Sequence, residues 1–204
     1  MSPRLDLNAL DLSTKTIPAQ AAIGTYMSST IIKAPATSVW QAVIDTDHWP
    51  VWNTFCPGAT IREQPNIAKS QSGRLQLGTK MTLHLNWNPR GPKPKPMDVG
   101  LVVTEFDSPT DGRQTPARIA WATDSSAKGF PPWLLYAERV TELHEFEEGN
   151  GEECQRVTHV VSWESQRGPL AYVVRWFMAK NFKMCLKVQA DDMTSFVEGK
   201  KASS

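Results

Sequence analysis

Two long alternating segments carry the residues with the most chemistry to offer. Segment 134–147 holds Arg139, and segment 152–164 holds His159. Alternate residues of an extended strand share a face, so Arg139 stands with Leu135, Ala137, Thr141 and Leu143. A guanidinium in that company is costly unless it meets a carboxylate or an anionic ligand group. A bulge in the strand would turn it outward instead. In the second segment Val157, His159, Val161 and Trp163 form the more apolar face, against Thr158, Val160, Ser162 and Glu164. On that pattern His159 is the inward titratable group, able to give or take a proton near neutral pH. The plainer alternative is a core histidine satisfied by a hydrogen bond. A tight turn at Glu148-Gly149-Asn150-Gly151, centred near Asn150, sets Arg139 opposite Val161. His159 then becomes its diagonal neighbour on one face. The pair reads as a general base beside a cation that polarises a carbonyl or steadies an enolate.

Aromatic residues supply the next signal. The chain has eight tryptophans in 204 residues. Each brings a large apolar area and one N–H donor, and a roomy aromatic-lined interior would use them. Trp87, Trp121, Thr141, Tyr172 and Trp176 are the candidate ligand-binding residues, lining a cavity or its mouth. Tyr136 has the opposite parity to Arg139, and Trp49 and Trp52 read as anchors for short helices.

No nucleophile elbow, zincin motif, phosphate loop or paired C-x-x-C occurs. The four histidines, His48, His84, His144 and His159, lack metal-ligand spacing. No metal and no cofactor is expected. Cys56, Cys154 and Cys185 are far apart, which suits reduced, buried thiols in a reducing compartment. Twenty-two basic against 21 acidic residues leave a net charge of +1. Dedicated nucleic-acid binders show a basic excess, so no nucleic-acid partner is expected. No apolar run is long enough to span a bilayer, and the first 22 residues lack the apolar core of a signal peptide. The expectation is a cytoplasmic protein with no integral membrane segment, whose partner is a hydrophobic small molecule.

The elements that position these residues follow from local pattern. Residues 1–22 read as a loosely attached leader, 23–199 as a single domain and 200–204 as a tail. Ile31 and Ile32 mark a strand at about 25–33 that Pro35 ends. Val39, Trp40, Val43 and Ile44 give helical spacing over 36–45, and a second short helix covers 46–53. Further strands are expected at 58–64, 79–87, 97–107 and 117–123. Residues 66–78 form a loop, and the four prolines of 88–96 a stiff surface turn. Gly168-Pro169 opens a long helix whose apolar stripe runs through Leu170, Val173, Val174, Phe177, Met178, Phe182, Cys185, Leu186, Met193 and Phe196. Phe177 on that stripe is expected in the interior. A mostly antiparallel sheet must bury one face, and this helix is the element large enough to cover it.

Ala34-Pro35-Ala36, Val39-Trp40 and Trp49-Pro50-Val51-Trp52-Asn53-Thr54-Phe55 together resemble the opening of the SRPBCC superfamily. Its members are the START-like, birch-pollen-allergen-like and polyketide cyclase/dehydratase proteins. The resemblance covers roughly Thr25 to Glu198. It implies an α+β helix-grip fold, in which a curved sheet of about seven strands wraps a long C-terminal helix around a cavity. It also implies an enzyme that cyclises, dehydrates or isomerises a polycyclic or aromatic intermediate in a biosynthetic pathway; on the strand parity above, His159 and Arg139 would be its catalytic pair. A non-catalytic carrier or sensor of a hydrophobic ligand needs the same cavity without proton transfer. A partner-binding module with a vestigial cavity is the third alternative.

Overall fold

A computed structural model of the chain describes residues 5–65, 73–110, 115–149 and 154–199. The expected tail, most of the expected loop at 66–78 and half of the turn at 148–151 lie outside these residues. Strand β1 (Gly24–Ile32) leads to helix α1 (Ala36–Ile44), a 3-10 turn at Thr46–His48 and the short helix α2 (Trp49–Trp52). Strands β2 (Gly58–Glu63), β3 (Lys80–Asn86), β4 (Pro96–Asp107), β5 (Ala117–Thr123), β6 (Tyr136–Glu148) and β7 (Gln155–Arg167) follow. The C-terminal helix runs from Pro169 to Val197 as α3 (Pro169–Val173), a π-helical turn (Val174–Met178) and α4 (Ala179–Val197).

All seven strands join one antiparallel sheet in the order β1-β7-β6-β5-β4-β3-β2. Bulges between Ile61 and Glu63 in β2 and between Val103 and Glu105 in β4 bend the sheet. Its inner face curves around the C-terminal helix. Phe182, Cys185, Leu186 and Met193 of α4 share a core with Val39, Trp40 and Val43 of α1 and with Met81, Leu83, Ile119 and Leu143 of the sheet. This is the helix-grip architecture. The N-terminus of α1 is fixed by Glu145 of β6, whose Oε2 accepts from the Ala36 N–H at 2.5 Å. A carboxylate is favourable there because the first N–H groups of a helix lack partners.

Gly168 makes the turn from β7 into α3 with φ +97. A Cβ there would lie 2.6 Å from the Leu134 carbonyl oxygen, and that oxygen accepts from the Leu170 N–H at 3.0 Å. The π-helical turn has a second effect. Four-residue steps drift around an α-helix because a turn takes 3.6 residues. The extra residue of a π turn takes up that drift, so Leu170, Val174, Met178 and Phe182 all face the sheet. Phe177 falls outside this row and is 80% exposed, contrary to its expected place in the interior.

The leader also departs from expectation. Leu5, Leu7, Leu10 and Leu12 pack on Ala120, Val140, Val161 and Trp163, on the outer face of the sheet. Ile17 is wholly buried. Thr14 Oγ1, Thr16 Oγ1 and the Thr16 N–H donate to Glu138 Oε2 at 2.6, 2.5 and 2.9 Å, while Thr104 Oγ1 donates to its Oε1 at 2.9 Å. Burial works to raise the pKa of Glu138, but these four bonds outweigh it and leave the carboxyl below its usual range. The outer face of β5, β6 and β7 is therefore covered where the leader crosses it.

Candidate functional site

Between the inner sheet face and the start of the helix lies a cavity of about 360 Å³, within the size range of small-molecule sites. Alternation along β3 and β4 sends Leu83, Leu85, Met97, Val99 and Leu101 into it, and Trp87 and Trp121 add aromatic walls. Leu170, Val174, Met178 and Phe182 close the helix side. The lining is mostly apolar, with Arg139, Glu164 and Gln166 on the two longest strands and Asp98, Thr123, Asp124 and Lys128 elsewhere on its wall.

Arg139 of β6 projects inward and is 6% exposed. It pairs in register with Glu164 of β7. Its Nε and Nη2 donate to Glu164 Oε2 at 3.1 and 3.0 Å, and its Nη1 donates to Gln189 Oε1 at 3.2 Å. Gln166 Nε2 donates to the other carboxylate oxygen at 2.7 Å. The guanidinium also lies 5.7 and 5.8 Å from the ring centres of Phe55 and Phe182, where ring faces attract cations. Taking such a pair out of water is expensive, and the surrounding bonds and rings offset that cost. Three of the five Arg139 N–H donors are used by protein groups, which leaves two to hold a ligand oxygen. Asp124 lies at the far end of the lining. Burial works to raise its pKa, but bonds from Ser126 and Arg62 outweigh it and leave the carboxyl below its usual range.

A smaller void of about 30 Å³ lies behind Trp121 and Arg139, lined by Thr141, Ser162, Asn53 and Gln189 among others. It is large enough for a water molecule or two. Thr141 and Ser162 share a hydrogen bond of 3.0 Å.

The structure thus brings Arg139, Trp87 and Trp121 to the main cavity and Thr141 to the void beside it. Tyr172 and Trp176 do not line either space. Their rings lie 5.7 Å apart on the outer side of the helix, 45% and 71% exposed. His159 requires the largest correction. The β6–β7 register places Arg139 opposite Glu164, three positions from the expected Val161. An odd shift moves every side chain to the other face. His159 therefore sits on the outer side, opposite His144 and Ile31 and 7% exposed, while Val160, Ser162 and Glu164 face inward. The strands pair out to Glu148 and Gln155, so six residues connect them and the tight turn at Asn150 does not set the register.

Glu164, Gln166 and Gln189 are functional candidates that the residue pattern did not single out. The two on β7 sit on its less apolar face, a sign of a polar patch in a cavity once the other face is known to be covered. Of the eight tryptophans, Trp87 and Trp121 line the main cavity, Trp40, Trp49 and Trp52 pack in the core, and Trp163 lies under the leader. Trp133 and Trp176 are exposed. Among the described residues no group of His, Cys, Asp and Glu could hold a metal. Cys56 and Cys185 are buried, whereas Cys154 is exposed. Among these residues no helix is long and apolar enough to cross a membrane.

No family model matches the chain. Oxopyrrolidines biosynthesis cluster protein O of Penicillium oxalicum (strain 114-2 / CGMCC 5302) is 87% identical over 201 residues, covering 98% of this chain and 100% of that protein. Hypothetical protein jhp0584 from Helicobacter pylori superposes with a TM-score of 0.66 at 16% identity, covering 96% of this chain and 99% of that one. A START superfamily protein from Mycobacterium smegmatis superposes with a TM-score of 0.53 at 15% identity, covering 86% and 97%. Identities this low speak to the fold alone. The chain belongs to the family of the oxopyrrolidines biosynthesis cluster protein O and has the helix-grip fold seen in a START superfamily protein.

Proposed function

We propose that this protein binds a hydrophobic intermediate of an oxopyrrolidine-type biosynthetic pathway in the main cavity and holds it for cofactor-independent cyclisation, dehydration or isomerisation. The observation that carries this reading is an apolar cavity of about 360 Å³ with one buried cation–carboxylate pair set in its wall. The apolar walls fix the carbon skeleton. The free N–H groups of Arg139 hold an oxygen, and charge that develops on that oxygen is stabilised by a cation already in place. Restricting a flexible chain to one reactive fold supplies much of such a rate. Glu164 is the carboxylate positioned to exchange a proton with a group held by Arg139. The 87% identical relative, named for an oxopyrrolidine biosynthesis cluster, supports the pathway class.

One observation favours a carrier over an enzyme. Both oxygens of Glu164 already accept bonds, two from Arg139 and one from Gln166, so its acceptor sites are largely taken up by protein groups. Binding of anthracene and of its ketone counterpart anthrone, followed by tryptophan fluorescence, tests the site. The wild type is expected to bind both, and Arg139→Leu to weaken anthrone alone by about tenfold, as expected for a lost charge-assisted bond. Uptake of neither compound would sink the cavity reading. Equal effects on both would remove Arg139 from the anchoring role. Binding of the true intermediate without turnover by the wild type would favour the carrier, and turnover that survives Glu164→Gln would remove Glu164 from the proton-transfer role.

A further inference from the structure

The rim of the cavity combines two features that the ligand site does not explain. The first is aromatic. Phe130 and Val173 line the cavity and are also exposed. In the same segments Trp133 is 72% exposed, Phe177 80% and, on the outer side of the helix, Trp176 71%. Trp133 and the helix start are held together, because Gly168 packs against the Trp133 and Leu134 carbonyl groups. Phe177 follows Val173 by four residues, which places the two side by side on one flank of a helix. Soluble chains rarely leave so many large rings in open water.

The second feature is charge. The chain as a whole is nearly balanced, with 22 basic and 21 acidic residues. The segments that flank the cavity lining in sequence, 88–96, 125–133 and 165–187, contain nine Lys and Arg and no Asp or Glu, while the lining itself holds Asp98, Asp124 and Glu164. Lys93, Lys95, Lys128, Lys180 and Lys183 are exposed and form no ion pair among the described residues. Asp98, an acid at the rim, is already paired with His84 at 2.9 Å. The Asn181 side chain donates to the Trp87 carbonyl oxygen at 2.9 Å, so the lysine-bearing turn of α4 lies against the end of β3.

We propose that this rim docks onto an anionic lipid bilayer, through which the cavity loads or releases its apolar ligand. Tryptophan rings settle at the boundary between headgroups and hydrocarbon. Lysines on flexible stems are drawn to an anionic surface over a distance set by salt. An apolar cavity that opens inside the patch gives a membrane-dissolved molecule a route that avoids water. A second copy of the chain and an acidic protein partner are the competing occupants.

Sedimentation with sucrose-loaded vesicles tests the proposal. One set is phosphatidylcholine alone; the other has one part phosphatidylserine to three. The expected result is at least about tenfold more protein on the anionic vesicles, lost at roughly 0.5 M salt. The double variant Trp133→Ser with Phe177→Ser should lose about tenfold in binding while its melting temperature stays that of the wild type. Replacing Lys180 and Lys183 by Gln should weaken anionic binding and leave neutral vesicles unaffected. Equal binding to both vesicle types, or full binding by the aromatic double variant, overturns the proposal. So does a stable dimer that occupies the patch at micromolar concentration, or capture of an acidic protein without vesicle binding. Ligand binding measured without vesicles reports on the cavity separately.

Discussion

Replacing Glu138 by Ala isolates what fastens the leader to the sheet. The side chain is wholly buried on the outer face and accepts four bonds, three from Thr14 and Thr16 and one from Thr104. A hydrogen bond to a charged group contributes about 1.5–3 kcal/mol, and the four share a single desolvation cost. Breaking a buried charged network by removing its centre typically costs about 3–5 kcal/mol. For a chain of this size 1 kcal/mol corresponds to about 2–4 °C in melting temperature, so the expected loss at pH 7 is about 6–20 °C. The pH dependence has a definite sign. The folded carboxyl lies below its usual range, so its stabilisation is full above the unfolded value of about 4.3. That contribution is lost as pH falls through the folded value. The gap between wild type and Glu138→Ala should therefore narrow in acid. Trypsin cleavage at the exposed Lys15 should also accelerate, because the leader opens locally before the domain unfolds. A gap below about 2 °C at pH 7, or one that stays constant from neutral to acid pH, would refute the reasoning.

Phe177→Asp is expected to fold and to melt within about 2 °C of wild type, because the ring it removes is in water; calorimetry checks this, and a large drop would mean the residue is buried in solution. Titration with a thiol-specific disulfide reagent should label Cys154 promptly in the native protein. Cys56 and Cys185, with pKa pushed by burial up to about 12 and about 11, should wait for denaturant. Three equally fast thiols would contradict the packing around Phe55 and Trp87.

The strands were visible from alternation, β-branched residues and breakers, and the long helix from its apolar stripe, because these signals depend on local sequence. What misled the reading of β7 was the leader. Val157, Val161 and Trp163 make one face of that strand the more apolar, which normally marks the inside. Here the oily face is covered by Leu5, Leu7, Leu10 and Leu12, and the polar face with Glu164 and Gln166 belongs to the cavity. A contact across more than 120 residues leaves no trace in local periodicity. The register failed for a related reason: the Glu148–Gly151 motif has the composition of a tight hairpin, but pairing stops at Glu148 and Gln155. Phe177 fits an unbroken α-helical stripe, and only the π-helical turn moves it out. Arg139 was legible because its inward neighbours Leu143 and Thr141 share its parity on a strand paired without a break.

The position of β1 has a consequence for how the chain is made. Its hydrogen-bonding partner is β7, and Thr25 meets Ser165 across 140 residues. The leader waits nearly as long for Glu138. During synthesis the first strand and the leucines ahead of it leave the ribosome with no surface to join, while β2 to β5 can already pair with one another. Closing so long a loop adds little to the final free energy but delays the productive encounter. Folding should therefore stall until the last two strands and the final helix have emerged. In that interval the unpaired edge and the oily leader are the segments most in need of a chaperone.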